Sequence, residues 1–261
     1  MSNSKKLKPT STHFLSQSLW RNLRKILNRN LWTFLYINSQ KLKINKLIKN
    51  LKENDLSIKK NLNYPKKNNK YIKPKNFNYF LEKYNSSKPL GAYREFLDQF
   101  MRKIYPHTIL EFGISEGAGI YAMKDYFKNS HLWGCDIDKK TFIKHKKIIC
   151  GYCDQLNLKS LNNILKKFNT KFDLIVDDGW HHPESQINTI MASLPYLNKN
   201  GIYITEDIAH DAYKSNVREL IKILKFKKFK VLYKTFHIKN TTANIAGTNN
   251  NGYLIIYRKF K

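Results

Sequence analysis

The sequence is poor in acidic residues, in cysteine and in long apolar runs. Against 48 Lys and Arg it has 19 Asp and Glu, a formal net charge of +29 over 261 residues. No apolar run approaches the roughly 18 residues that a membrane span needs. The first residues, Met1 to Lys6, lead into no apolar signal core with a small-residue cleavage site. We therefore expect a cytoplasmic protein.

Cysteine is too scarce for a disulfide framework, since the chain has only Cys135, Cys150 and Cys153. Cys150 and Cys153 have the spacing of a redox pair. They lie at the end of a predicted strand, however, whereas a thioredoxin-like pair opens a helix. We interpret them as small buried thiols.

The excess of positive charge has two interpretations. A basic field attracts polyanions, either nucleic acid or an anionic membrane. Lys, Asn and Ile all have A/T-rich codons, so a biased genome composition explains much of the excess without such a partner. The charge is spread along the chain and does not choose between the two.

Composition divides the chain near residue 85. Residues 1–85 are rich in Lys and Asn and predict a basic N-terminal extension, whereas residues 86–261 predict a catalytic domain. Apolar residues recur at helical spacing in residues 14–48, which indicates an amphipathic helix. It would dock on the catalytic domain or on a second subunit, or lie on the inner face of an anionic membrane. Residues 56–75 are expected to form a linker.

From residue 91 onward, strand and helix signals alternate. The predicted strands are 108–112, 131–136, 147–152, 172–177, 201–206, 230–236 and 252–258. The predicted helices are 118–128, 139–145, 158–168, 184–194 and 215–224. Five β-then-α repeats predict an α/β domain with a mostly parallel sheet, helices on both faces and a closing antiparallel pair.

Two of the predicted strands end in carboxylates. The fourth leads into Asp177 and Asp178, and the fifth into Glu206 and Asp207. Ligands of open α/β sheets bind at the carboxyl ends of the strands, so these acids are expected around one small volume. A hard cation with oxygen ligands relieves their repulsion. The sequence therefore predicts a metal site, although Asp177 and Asp178 also suit the cap of the following helix.

A second binding signal follows the first strand. Gly113 and Gly117 allow backbone to approach a ligand closely, and the helix after them offers free N–H groups. Asp136 ends the second strand, where Rossmann-like proteins hold ribose hydroxyls. The turn, the spaced acid and the five repeats together predict a site for a nucleoside-containing cofactor.

With these motifs the sequence resembles the class I S-adenosylmethionine-dependent methyltransferases. Glu111 and Gly113 match the E-x-G of their first motif, while Ser115 replaces a glycine common in the class. The resemblance implies a Rossmann-like fold closed by a β-hairpin, a ribose contact for Asp136 and a place near the adenine for Asp154. The predicted cofactor-binding residues are Glu111, Gly113, Ser115, Gly117, Asp136, Asp154 and Asp177.

The segment Asp-Asp-Gly-Trp-His-His at 177–182, with Glu-Asp at 206–207, narrows the resemblance. It is similar to metal-dependent O-methyltransferases of macrolide and rhamnosyl sugars, which have relatives labelled cephalosporin hydroxylase. The similarity covers residues 91–258. It implies that Mg²⁺ or another divalent cation is held by three carboxylates and that a histidine is the general base. The residues concerned are Asp178, Glu206 and Asp207 as ligands and His181 as the base.

We therefore expect an enzyme that methylates a hydroxyl of a saccharide or glycosylated small molecule. His210 and Asp211 are expected to line the acceptor pocket, and Trp180 and Tyr213 to stack on a sugar or to pack. One alternative is a nucleic-acid methyltransferase that uses the basic surface, although no RNA-binding module or N-P-P-Y-like motif is present. The other is a non-enzymatic basic membrane or scaffold protein. A homo-oligomer is compatible with each.

Overall fold

The computed structural model of the protein describes residues 76–88, 90–181, 183–208, 230–237 and 250–257. Several sequence predictions lie outside these residues. They are the helices at 14–48 and 215–224, the linker at 56–75, and the side chains of His182, His210, Asp211 and Tyr213.

A seven-stranded sheet organises the described part of the chain. Its strands are β1 (Thr108–Phe112), β2 (His131–Asp136), β3 (Ile148–Tyr152), β4 (Phe172–Asp177), β5 (Leu197–Thr205), β6 (Lys230–His237) and β7 (Asn250–Tyr257). Their order is β3-β2-β1-β4-β5-β7-β6. Strands β1 to β5 are parallel, and β7 runs antiparallel to both β5 and β6. The predicted sheet with its closing antiparallel pair is confirmed.

Helices cover both faces of this sheet. They are α1 (Asn78–Lys83), α2 (Ala92–Met101), α3 (Ala118–Tyr126), α4 (Leu158–Phe168) and α5 (Pro183–Ser193). Alternate residues of a strand face opposite sides. Leu110 of β1 accordingly belongs to the core with α4 and α5, whereas its neighbour Ile109 belongs to the core with α1, α2 and α3. Within the described residues, each helix is too short or too polar to cross a lipid bilayer.

The helix predicted at 139–145 is wrong beyond residue 141. The chain forms a single 3₁₀ turn at Lys139–Thr141, which Asp138 caps by accepting a hydrogen bond from the Lys140 N–H. Phe142 then takes an extended backbone, and the Ile143 N–H donates to Cys150 Sγ at 3.3 Å. The segment therefore runs beside β3, the strand at the edge of the sheet, instead of continuing as a helix.

Helices α1 and α2 are part of the core. Phe77, Leu81 and Tyr93 are fully buried, and the Phe77 ring packs edge-on against Tyr126 of α3 with centroids 5.1 Å apart. Asp98 of α2 accepts a hydrogen bond from the Phe77 N–H at 2.5 Å, which ties the start of α1 to α2. The packed domain therefore begins no later than residue 76, and the predicted boundary near residue 85 falls inside it.

This packing predicts how truncation affects folding. A protein that begins at residue 76 should unfold cooperatively at nearly the temperature of the full chain. Removal of residues 1–101 should abolish cooperative unfolding. It deletes buried Phe77, Leu81, Tyr93, Leu97 and Met101, each stabilising by about 1.5–3 kcal/mol against a total of about 5–15 kcal/mol. Thermal denaturation followed by circular dichroism measures both, and an unchanged transition without α1 and α2 would contradict the core assignment.

Candidate active site at the carboxyl edge of the sheet

A pocket of about 400 Å³ opens at the carboxyl ends of β1 to β4. Its wall comes from the loop after each of these strands. Gly113 and Ser115 follow β1, Asp136 ends β2, Asp154 follows β3, and Gly179 follows β4. Four residues predicted from sequence to bind the cofactor therefore line one cavity.

The loop after β1 is held by Asp136. Ser115 has a φ of 46°, in the left-handed region that favours glycine, and so stands in for the glycine expected there. Asp136 Oδ2 accepts hydrogen bonds from the Ile114 N–H at 2.9 Å and the Ser115 N–H at 3.0 Å. The carboxylate predicted to bind ribose therefore also fixes the loop after β1, which forms the adjoining part of the pocket wall.

Gly113 joins the pocket to the carboxylate-bearing loop after β4. The sequence suggested that its missing side chain makes room for a ligand. In the structure, the backbone of Asp178 and Gly179 fills the space that a Cβ would occupy. The Asp178 N–H also donates to the Phe112 carbonyl at 3.0 Å. A side chain at Gly113 would therefore displace this loop as well as disturb a cofactor.

Two further residues predicted to bind the cofactor lie beside the pocket. Gly117, with a φ of 87°, stands at the start of α3. Glu111 is buried beneath α3, where a Cβ on Gly119 would collide with its carboxylate. In the described part of the chain, Glu111 Oε2 has no hydrogen-bond partner. Burial raises the pKa of Glu111 well above its usual value, and Lys88 opposes the rise.

Asp177 lies behind the pocket wall. Its buried carboxylate accepts hydrogen bonds from Gln155 Nε2 at 2.7 Å and from the Tyr203 hydroxyl at 3.0 Å. Gln155 Oε1 in turn accepts from the Trp180 N–H at 2.7 Å. This network holds the loop after β4 and gives Asp177 internal partners instead of a place in the pocket lining.

The stability of the protein should depend on the charge of Asp177. Burial raises its pKa to about 7, although the bonds from Gln155 and Tyr203 oppose the rise. Since the folded chain holds this proton more tightly than the unfolded chain, the ionisation of Asp177 destabilises the fold as pH rises from about 4 towards 7.

Replacing Asp177 by Asn should remove this effect. Between pH 5 and 8 the free energy of unfolding of the parent should fall relative to that of Asp177→Asn, by on the order of 1–3 kcal/mol. Urea denaturation of both proteins across this range measures the difference. Parallel pH profiles would show that Asp177 does not titrate in this window.

The acids at the ends of β4 and β5 lie together. His181 Nε2 is 3.9 Å from Asp178 Oδ1 and 3.7 Å from Asp207 Oδ2. The ligand atoms of these three residues all lie within 4.8 Å of one another. The Tyr93 hydroxyl donates to Asp207 Oδ1 at 2.7 Å and accepts from the Asp207 N–H at 3.2 Å. The expected proximity is present, and the assignment of ligands and base stays a prediction.

Glu206 differs from the other acids because it is paired with Lys88. Lys88 Nζ lies 2.6 Å from Glu206 Oε2 and 2.6 Å from Asp178 Oδ2. Burial alone would lower the pKa of Lys88, but the charges of the two acids outweigh it and hold that pKa above its ordinary value. Burial raises the pKa of Glu206 to about 8, and Lys88 opposes this rise.

Sequence reasoning missed Lys88 and Tyr93. Lys88 lies 90 residues from Asp178 and 118 from Glu206 along the chain. It is the only lysine between Tyr84 and Met101, and nothing in the local sequence distinguishes it from a solvated surface lysine. Tyr93 had a weak signal, since it recurs with Leu97 at helical spacing in α2. Its contact with Asp207 depends on how α2 packs against the sheet.

The chemistry of this cluster suits a hard divalent cation. Burial is the main cause that raises the pKa of Asp207, Asp178 raises it further, and His181 opposes the rise. Glu111, Asp178, Glu206 and Asp207 outnumber the ammonium group of Lys88. Asp178, His181 and Asp207 offer carboxylate oxygens and an imidazole nitrogen, which bind divalent ions.

Solved structures share this architecture. The MycE methyltransferase of the mycinamycin biosynthetic pathway, in complex with Mg and SAH, aligns with a TM-score of 0.56 at 18% identity. The alignment covers 70% of this chain and 55% of that one. A second MycE structure, with Mg, SAH and mycinamycin VI, gives a TM-score of 0.56 at 17% identity. This chain has the Rossmann-like methyltransferase fold.

Sequence comparison finds named O-methyltransferases. Demethylmacrocin O-methyltransferase of Streptomyces fradiae is 25% identical over 123 residues, which are 44% of this chain and 29% of that protein. Mycinamicin VI 2''-O-methyltransferase of Micromonospora griseorubida is 26% identical over 124 residues, 44% of this chain and 29% of that protein. The 8-demethyl-8-alpha-L-rhamnosyl tetracenomycin-C 2'-O-methyltransferase of Streptomyces olivaceus is 24% identical over 132 residues, 45% and 35% of the two chains.

The match to these relatives is partial. The aligned region spans 29% to 35% of their length. No protein-family model matches the chain. Within the methyltransferase fold, Asp178 is the point where the two parts of the site meet, because it lines the pocket and also contributes to the carboxylate cluster.

Proposed function

We propose that the protein transfers a methyl group from S-adenosylmethionine to a hydroxyl of a saccharide or glycosylated small molecule, with the help of a divalent cation. The observation that carries the proposal is the position of Asp178. It belongs both to the pocket and to the cluster with His181 and Asp207. An acceptor held at the cluster would therefore lie beside a donor in the pocket, as direct methyl transfer requires.

The pocket has the chemistry of a nucleoside site. Asp136 and Asp154 provide carboxylates that accept from ribose hydroxyls or an adenine amino group, and Ile137 and Leu156 provide apolar surface for the base. The neighbouring loop is positioned in advance, because Asp136 already binds two of its N–H groups. These features support S-adenosylmethionine as the donor.

The cation would be held by Asp178, Glu206 and Asp207, of which Asp178 and Asp207 face His181. Oxygen ligands of this kind suit Mg²⁺, which leaves part of its coordination shell for water or substrate. When bound, such an ion makes a hydroxyl more acidic by stabilising the developing negative charge on oxygen.

His181 is the proposed proton acceptor. Its Nε2 faces Asp178 and Asp207, and about a quarter of its side chain is exposed. An imidazole exchanges protons near neutral pH. Tyr93 keeps Asp207 oriented through the bond to Oδ1, so that Oδ2 faces the histidine.

Trp180 is the proposed platform for the acceptor. Its side chain is 62% exposed and lines the pocket. Its backbone is held at both ends, since its N–H donates to Gln155 and its carbonyl accepts from the Ser185 hydroxyl. A positioned indole can pack on the apolar face of a sugar ring. The names of the three sequence relatives, which refer to macrolide and rhamnosyl substrates, support a sugar acceptor.

Donor binding should depend on Asp136. Asp136→Ala removes the predicted ribose contact and releases the loop after β1, so the affinity for S-adenosylhomocysteine should fall by roughly 10- to 100-fold. Asp138→Ala is the matched control, because Asp138 caps the exposed turn that follows β2. Isothermal titration calorimetry measures both affinities. Equal binding by the parent and a folded Asp136→Ala protein would refute the donor site.

Metal dependence and the role of His181 can be separated. Asp207→Asn should weaken Mg²⁺ binding and lower turnover while leaving donor affinity nearly unchanged, because the amide keeps the shape of the side chain and loses the charge. His181→Ala should keep metal and donor binding and lower turnover by about 10² to 10⁴, as expected for a lost general base. Excess chelator should abolish activity, and added Mg²⁺ should restore it.

The assay follows formation of S-adenosylhomocysteine with a panel of rhamnosyl and macrolide glycosides, and calorimetry follows the ion. Loss of metal binding in His181→Ala would make the histidine a ligand rather than the base. Full turnover in excess chelator would leave a methyltransferase that needs no metal.

A further inference from the structure

Lys88 places a permanent positive charge inside the carboxylate cluster. Its ammonium group bridges Asp178 Oδ2 and Glu206 Oε2, at 2.6 Å from each. The side chain of Lys88 is 9% exposed and that of Glu206 is 2% exposed. Ion pairs on the protein surface contribute little, but the loss of one partner of a buried pair leaves an uncompensated charge. This bridge therefore matters to the two acids it joins.

The backbone that carries Lys88 is held in place. Arg94 of α2 is buried, and its Nη2 donates to the Ser86 carbonyl at 3.1 Å and to the Lys88 carbonyl at 2.7 Å. Helix α2 also supplies Tyr93, which binds Asp207. One helix thus positions both the ammonium group and a neighbouring acid. Lys88 reaches the cluster from a rigid support.

The ammonium group and the candidate cation position use different oxygens. Asp178 offers Oδ2 to Lys88, whereas its Oδ1 faces His181. Asp207 offers Oδ1 to Tyr93 and Oδ2 to His181. Asp178, His181 and Asp207 each offer a donor atom within 4.8 Å of the others, and the ion pairs of Lys88 use only one oxygen of Asp178 and one of Glu206. Both cations can therefore be present at once.

We propose that Lys88 is a positioning residue of the metal site. It stays bound to Asp178 Oδ2 and Glu206 Oε2 as a covalently attached cation, while the exchangeable divalent ion binds those oxygens of Asp178, Glu206 and Asp207 that Lys88 does not contact. This inference rests on the proposed metal-assisted function. Asp178 Oδ1 and Asp207 Oδ2 lie towards His181 and are the oxygens proposed for a divalent ion, whereas without Lys88 the repulsion between Asp178 and Glu206 would open the empty site.

Lysine acylation of the parent protein gives a direct test. The rate of acylation of each lysine is measured by mass spectrometry, with and without saturating Mg²⁺ or Mn²⁺. Lys88 should be protected in both states. Lys83 is the matched control, because it forms an ion pair with Asp125 but is 46% exposed and should react throughout. Faster acylation of Lys88 when the metal is added would overturn the inference, since it would show that the ion displaces the ammonium group.

Calorimetry on the same samples separates the two proposals. If the parent binds neither Mg²⁺ nor Mn²⁺, the proposed metal site fails and the inference fails with it. If the metal binds and Lys88 becomes reactive, the metal site stands and only the positioning role fails.

The melting temperatures of a series of variants at Lys88 test whether its charge compensates that of Asp178 and Glu206. Lys88→Met should lower the melting temperature of the metal-free protein by on the order of 10 °C, since it leaves two buried carboxylates unpaired. Lys88→Arg should keep most of the stability. Lys83→Met should change little, because it breaks only a surface pair.

The decisive variant is the double substitution Lys88→Met with Glu206→Gln. It removes one of the two unpaired charges, that of the more deeply buried acid, and should restore a large part of the stability that Lys88→Met loses. A lack of rescue by Glu206→Gln would overturn the inference, because loss of packing alone would not respond to the charge of residue 206.

Discussion

Mutual repulsion among buried carboxylates is the constraint on which the site depends. Glu111, Asp178, Glu206 and Asp207 all lie at one edge of the sheet, and burial raises the pKa of three of them. Such a cluster is stable only when its charge is neutralised or shared. The fold responds with the ammonium group of Lys88, the hydroxyl of Tyr93 and an arrangement of donor atoms that suits a divalent ion. Helix α2 positions the first two, because it carries Tyr93 and also Arg94, which binds the Lys88 carbonyl.

The same edge couples the cluster to the pocket. The backbone at Gly113 lies directly against the loop that starts at Asp178, and Asp136 ties the loop after β1 to the end of β2. Asp177 and Gln155 hold the loop after β4 from behind. A cofactor in the pocket and an ion at the cluster would thus share a rigid frame. In a transfer reaction, this rigidity keeps donor and acceptor aligned.

Local sequence patterns predicted the strands of the sheet correctly, but they predicted some of the helices wrongly. Strands β1, β2 and β4 begin and end where predicted because each is a short apolar run bounded by polar or turn residues. The segment after β2 has the composition of a helix, yet beyond residue 141 it is extended, because Phe142 and Ile143 pack against the core on the side of α1, α2 and α3 and the Ile143 N–H binds Cys150 of β3. Helix α1 lies in Lys-rich and Asn-rich sequence that indicated an extension. Its buried residue Leu81 and the preceding Phe77 belong to the core shared with α3, which the local sequence does not indicate.

The sequence alone determined which functional residues lie at the end of which strand. A glycine turn follows β1, an acid ends β2, and paired acids lie at the ends of β4 and β5. Each of these features is visible in a short stretch of sequence. Parallel strands bring their carboxyl ends to one edge of the sheet whatever the details of packing, so the features are expected to lie together. Only the tertiary structure decided which charges meet. Lys88 reaches Asp178 and Glu206 across 90 and 118 residues, and Asp177 faces inward while Asp178 faces the pocket. Such contacts depend on how α2 and the loops pack, and no periodic pattern encodes them.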